Sequence, residues 1–137
     1  FDKKTVLDFG CGSGILSIAT QKMRASEVWS VDTDEFAIIS SKENLKRSNL
    51  NVDNLIEGSI ENLDNKLKFD VILANISSNI IMKYSNEMKR KLNKNGILIA
   101  SGILSKNIEE TLEKLQKAGF KLLSQTVEEE WECLTLK

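Results

Sequence analysis

The stretch Val6-Leu7-Asp8-Phe9-Gly10-Cys11-Gly12-Ser13-Gly14 decides the fold. A short apolar run enters three glycines at alternate positions. Ile15, Leu16, Ile18, Ala19 and Met23 then follow at helical spacing. Strand, glycine turn and helix make a ligand-sized cradle. Glycine permits a tight turn with positive φ and close approach to the main chain. A helix N-terminus adds unpaired N–H donors and a partial positive charge. The spacing is Gly-x-Gly-x-Gly, and Ile15 stands where the dinucleotide fingerprint requires its third glycine. Asp8, two residues before Gly10, would repel a pyrophosphate but suits a ligand with a cationic end, such as the amino group of a methionine moiety. The stretch therefore favours S-adenosylmethionine over a nicotinamide dinucleotide.

Outward from this turn, strands and helices alternate. Thr5 to Phe9 reads as the first strand, with Ser13 as N-cap of a helix running to about Arg24. Glu27 to Val31 is a second strand. A helix over Glu35 to Ser48 follows, capped by Asp34, with Phe36, Ile39 and Leu45 expected inward. Val52 to Glu57 carries a third strand, and Ile60 to Lys68 is polar and irregular. Phe69 to Ala74 is an apolar fourth strand, followed by one helix over Ile76 to Leu92. After the turn Asn95-Gly96, Ile97 to Ser101 is a fifth strand. Lys106 to Ala118 is the clearest amphipathic helix, with Ile108, Leu112 and Leu115 inward and Gly119 closing it. Phe120 to Val127 and Glu130 to Leu136 form a closing hairpin whose last strand is expected to be well covered. The alternation predicts an α/β domain: a mostly parallel sheet with helices on both faces and an antiparallel strand from the hairpin. No repeat or linker divides residues 1–137, which read as one domain.

Ligands of open α/β sheets bind at the carboxyl ends of the strands. Asp32, at the end of the second strand, is placed to accept hydrogen bonds from both hydroxyls of a ribose. Without a ligand it is a solvated turn residue. Ser59 can meet an adenine amino group, with the Ile60 N–H on a ring nitrogen, or be an ordinary polar turn. Asn75, after the fourth strand, offers an amide oxygen to a substrate amine, orienting its lone pair toward an electrophilic methyl; the competing reading is a cap. Ser101-Gly102 reads as a turn.

Composition narrows the chemistry. The chain has 137 residues, 19 basic and 20 acidic, for a formal net charge of -1. That gives no overall drive toward nucleic acid or an anionic membrane. No apolar run reaches transmembrane length, and no signal-peptide pattern opens the chain. Cys11 and Cys133 lack metal-ligand spacing and there is no His, so no metal site is expected. Two unpaired thiols fit a reducing, cytoplasmic setting. Methyl transfer from a sulfonium, an in-line displacement, needs orientation and a free amine rather than His, metal or a nucleophilic pair.

The residues Asp8 to Gly14 together with Val31-Asp32-Thr33-Asp34 resemble class I S-adenosylmethionine-dependent methyltransferases. Val6 to Ile18, Ala74-Asn75-Ile76, Leu98 to Leu104 and the late Trp131 narrow the resemblance to ribosomal-protein methyltransferases of the PrmA type, over nearly the whole chain. The resemblance implies a Rossmann-like fold with a seven-stranded sheet. It also implies methylation of amino groups, on lysine side chains or the N-terminal amine, of large-subunit ribosomal protein eleven. Asp8, Gly10 and Gly12 match the loop around the methionine part of the cofactor. Asp32 matches the ribose-binding acid, Thr33 the residue beside the adenine, and Asn75 the active-site asparagine, counted with both the cofactor and the substrate. Glu35 stands where members commonly have Pro, and Ser59 where an acid is common. The family's N-terminal substrate-binding domain is expected outside this chain, which would then be its catalytic domain. Relatives that methylate adenine or glutamine amides carry Asn-Pro-Pro-Tyr at this point. Here Ile76, Ser77 and Ser78 follow Asn75, with no aromatic to stack a flipped base. The alternatives are a small-molecule or RNA methyltransferase of the same fold, or a nicotinamide-dependent oxidoreductase.

Overall fold

The computed structural model describes residues 1–137. Strand β1 (Thr5–Phe9) leads through the glycine turn into α1 (Ile15–Lys22). β2 (Glu27–Asp32), α2 (Glu35–Arg47), β3 (Leu55–Glu57) and a 3-10 turn (Ile60–Asn62) follow. Next come β4 (Phe69–Asn75), α3 (Ser78–Lys83), α4 (Ser85–Lys91) and β5 (Leu92–Leu104). A 3-10 turn (Ser105–Asn107), α5 (Ile108–Lys117), β6 (Leu122–Glu128) and β7 (Trp131–Leu136) complete the chain. The seven strands form one sheet in the order β3-β2-β1-β4-β5-β7-β6. β1 to β5 pair in parallel, and β7 runs antiparallel between β5 and β6. This is the mostly parallel, Rossmann-like seven-stranded sheet that the resemblance implies.

The central strands are apolar because both their faces are covered. Leu7, Phe9, Ile72, Leu98 and Leu134 lie in the larger core with Ile81, Met88 and Leu115 of α3, α4 and α5. Val6, Val28, Val71 and Leu73 form a smaller one against Leu16 of α1. Asp70 anchors the start of β4: it accepts from the Thr5 N–H at 3.0 Å and from Asn93 at 3.0 Å.

Several local expectations are corrected. Ser13 does not cap α1; Gly14 takes that position in the left-handed region with no side-chain bond, and the helix ends at Lys22. Asp34 does cap α2, accepting from the Phe36 N–H at 2.9 Å. Phe36 and Ile39 of that helix are 77% and 48% exposed, whereas Ser41 and Leu45 are buried. The sheet-facing side of α2 is set by Ser41, whose Cα lies 3.2 Å from the Cβ position of Gly14. Only a small residue fits between α2 and the turn there. The long helix expected after β4 breaks at Tyr84, where Ser85 Oγ donates to the Met82 carbonyl at 2.9 Å. Such local side-chain bonding competes with the helical ladder. β3 begins only at Leu55, and β5 extends to Leu104. In the last strand Trp131 is 47% exposed rather than covered.

Candidate functional site

The carboxyl ends of β1, β2, β4 and β5 meet at one edge of the sheet, where the order reverses between β1 and β4. Two adjoining cavities open there. The first, about 360 Å³, is lined by Gly10, Asp32, Thr33, Ser59 and, from α3 and the helix break, Ile80, Lys83 and Tyr84. The second, about 510 Å³, is lined by Asn75, Asn79, Gly102, Asn107 and Trp131. Ile76 is a wall of both.

The glycine turn is held from three sides. The Gly10 and Cys11 N–H groups donate to the Val31 carbonyl at 2.8 and 3.0 Å. Asp32 Oδ2 accepts from the Gly12 N–H at 2.9 Å, while Oδ1 accepts from the Asp34 N–H at 2.9 Å. From α2, Ser41 Oγ donates to the Gly12 carbonyl at 2.7 Å and Asn44 Nδ2 to the Ser13 carbonyl at 2.9 Å. Gly10 and Gly12 have φ of +77° and +54°. A Cβ on Gly10 would lie 2.3 Å from Ile76 Cγ2, so this glycine lets Ile76 cross the tip of β1. A Cβ on Gly12 would meet nothing within 4 Å, so bare backbone faces open space beside Asp32.

The sequence-predicted residues divide by position. Gly10, Asp32, Thr33 and Ser59 come together in the first cavity, and Asn75 is exposed in the second. Gly12 joins them through Asp32. Asp8, expected at the ligand's cationic end, is 1% exposed and lies beneath the turn. Its carboxylate accepts from Ser17 Oγ at 2.6 Å. Burial pushes it up to about 6, against the opposing pull of its Ser17 hydrogen bonds. Burial likewise raises the Cys11 thiol to about 11, leaving it unreactive at neutral pH. Ser59 is 5% exposed, and its N–H donates to Asn62 Oδ1 at 2.7 Å, which fixes the turn after β3. Ile60 is fully buried.

Other lining residues escaped the sequence reading. Ile76 starts the helix expected after β4, and Tyr84 falls inside it. Tyr84 does pack edge-on to Phe9, 5.4 Å between ring centroids, but it also faces the first cavity. Its hydroxyl donates to Glu61 at 3.3 Å. The usable signal was topological: a helix springing from the tip of β4 must share one side between core and cleft. No group of three or more His, Cys, Asp or Glu side chains is arranged to hold a metal ion. No helix is long and apolar enough to cross a membrane.

Comparison with known proteins agrees with this geometry. The family model for ribosomal protein L11 methyltransferase (PrmA) matches residues 2–137. The ribosomal protein L11 methyltransferase of Fusobacterium nucleatum is 36% identical over 140 residues, covering 100% of this chain and 45% of that protein. That of Acetivibrio thermocellus is 37% identical over 132 residues, covering 96% and 42%. The chain thus spans less than half the length of these relatives. The crystal structure of ribosomal protein L11 methylase from Lactobacillus delbrueckii subsp. bulgaricus superposes with a TM-score of 0.95 at 28% identity, covering 99% of this chain and 70% of that one. Trm5b from Pyrococcus abyssi, at 18% identity and a TM-score of 0.82, shares the fold. With its sheet order, its glycine turn and a family match over nearly its full length, this chain belongs to the PrmA family of ribosomal protein L11 methyltransferases.

Proposed function

We propose that the chain is the catalytic domain of a cytoplasmic protein N-methyltransferase acting on amino groups of large-subunit ribosomal protein L11, with substrate recognition shared by the rest of the full-length protein. The observation that carries this reading is the pair of cavities joined at Ile76, one bearing the acid and glycines, the other bearing Asn75. The donor set fits S-adenosylmethionine. Asp32 retains acceptor capacity for ribose hydroxyls beyond its two backbone bonds, and Gly12 leaves room for a close approach. Thr33 and Ser59 would flank the adenine, Gly10 and Gly12 the methionine part, and Asp8 would act from beneath the turn. S-adenosylmethionine supplies an electrophilic methyl group when bound.

The chain's own residues do the orienting. Asn75 Oδ1 accepts a hydrogen from the substrate amine and points the amine lone pair across the Ile76 wall. The amine attacks in its neutral form, so the substrate ammonium must lose a proton before transfer, and solvent at the open second cavity can take it. Proximity and orientation then carry the rate. A ribosomal protein is made and assembled in the cytoplasm, which supports that location.

The test is transfer by the full-length protein from S-adenosylmethionine to purified ribosomal protein L11, read by mass spectrometry, beside RNA and free amino acids. Methylation of L11, with Asn75→Ala abolishing transfer but sparing cofactor binding, is expected. Transfer to RNA alone would sink the substrate proposal, and unchanged transfer by Asn75→Ala would sink the role of Asn75.

A further inference from the structure

We infer that Ser17 is a positioning residue for the cofactor site: its hydroxyl holds the ionised Asp8 carboxylate under the glycine turn and, through Ser30, ties α1 to β1 and β2. The inference rests on the cleft being the S-adenosylmethionine site. Ser17 is fully buried in the first turn of α1, and Asp8 and Ser30 are 1% and 3% exposed. Helical serines commonly bond back to their own helix or face solvent. Ser17 does neither with its hydroxyl, which donates to Asp8 Oδ2 at 2.6 Å and meets Ser30 Oγ at 2.7 Å. A hydroxyl has one proton. With that proton committed to Asp8, Ser30 must be the donor to Ser17. The chain therefore runs Ser30 to Ser17 to Asp8, every donor aimed toward the carboxylate, which is the arrangement that favours the ionised acid.

Polar groups buried in an apolar layer cost free energy unless bonded, so three in a row on three elements call for a reason. The reason lies two residues along the chain, where the main chain turns at Gly10 to receive a ligand carrying an ammonium and a sulfonium. A poorly screened carboxylate beneath that turn favours a cationic ligand only while ionised. The titratable groups facing Asp8 are Asp32 of β2 and the Cys11 thiol of the turn; Ser17 of α1 and Leu73, its register partner on β4, are neutral. Burial raises the Asp8 carboxyl to about 6 and the Ser17 bonds pull it down, so its ionisation falls within the working range of the site.

The experiment is calorimetric titration of the full-length protein with S-adenosylhomocysteine from pH 5 to 8.5, for wild type, Ser17→Ala, Ser17→Thr and Ser30→Ala. Thermal melts confirm that each variant is folded. Wild-type affinity should rise through a midpoint near 6. Ser17→Ala should move that midpoint up by about one pH unit, the worth of one hydrogen bond to a charged group. Affinity would then be about fivefold weaker at pH 6 and converge on wild type above pH 8. Ser17→Thr should restore the profile, and Ser30→Ala should shift it in the same direction by less. An unmoved midpoint in Ser17→Ala, or weakening by the same factor at every pH, would overturn the inference. Failure of the wild type to bind at any pH would instead overturn the cofactor reading on which it rests.

Discussion

Asn75 Oδ1 lies 2.8 Å from the point where a Cβ on Gly102 would sit. Asn75 ends β4, and Gly102 lies near the end of the neighbouring β5 with a φ of +76°. What reads in sequence as a turn is thus the space into which the Asn75 amide is set. Gly102→Ala would force the amide aside as well as strain the backbone by about 1–2 kcal/mol. Displacement of an orienting group by an ångström costs on the order of 10²-fold in rate. We expect transfer by Gly102→Ala to fall by that order while the affinity for S-adenosylhomocysteine stays within about twofold, since the glycine faces the second cavity only. Steady-state kinetics and calorimetry on the same preparation check this. A loss of cofactor binding equal to the loss of rate would contradict it.

Asp32 carries a different load. It holds the Gly12 and Asp34 N–H groups as well as facing the first cavity. Asp32→Ala removes the ribose acceptor and frees the glycine turn together. Hydrogen bonds to a charged group are each worth about 1.5–3 kcal/mol, so S-adenosylhomocysteine affinity should drop by at least about tenfold. Asp32→Asn keeps one acceptor and should fall between the two. Equal affinity in wild type and Asp32→Ala, measured by calorimetry, would remove Asp32 from the site.

The parts of the site legible in sequence are those where main-chain chemistry demands a residue type. Three alternating glycines, the Asp34 cap and Gly119 with φ +100° all announce themselves. So do the apolar central strands, because burial on both faces leaves an unbroken hydrophobic run. The α2 surface was misread for the converse reason. A hydrophobic pattern searches for large apolar side chains, but the contact between α2 and the glycine turn admits only a small one, here Ser41, fully buried against Gly14. Ser17 and Ser30 were invisible for the same reason: their burial follows from Asp8, and a single residue alphabet does not show which serines share a carboxylate. Asp8 itself was found as an acid near a ligand. Its position beneath the turn depends on the inward alternation of β1, where it lies between fully buried Leu7 and Phe9 at 5%.

The burial of Asp8 has a consequence for stability with a definite sign. Its carboxyl is raised from 3.8 to about 6, so between these values the folded state holds a proton that the unfolded chain has released. The stabilising contribution of the neutral acid is complete below pH 3.8 and lost as pH rises through 6, amounting to roughly 3 kcal/mol. Asp8→Asn stays neutral throughout. Its unfolding free energy should therefore lack this fall, so the variant gains on wild type as pH rises from 4 to 7, while binding S-adenosylhomocysteine more weakly at pH 7.5. Urea unfolding of both proteins at intervals across that range measures the difference directly. A constant gap between the two curves would show that the Asp8 carboxyl is not raised in the folded protein.

Gly10 and Ile76 supply the sharpest steric test. A Cβ on Gly10 would fall 2.3 Å from Ile76 Cγ2, inside any permitted contact, and the φ of +77° adds backbone strain. Gly10→Ala should therefore destabilise by more than the roughly 1–2 kcal/mol that a left-handed alanine costs alone. Ile76→Ala removes the clashing methyl at the cost of a half-buried side chain that packs on the main core. In the double variant the steric part disappears and only the strain remains, so the two substitutions should be less damaging together than the sum of each alone. Contacting residues commonly show coupling of about 0.5–3 kcal/mol, and this pair should lie in the upper half of that range. Denaturant unfolding of the four proteins gives the cycle. Simple additivity would mean that Ile76 moves freely away from the turn, and then the wall shared by the two cavities could not be the fixed partition that aligns Asn75 with the cofactor cleft.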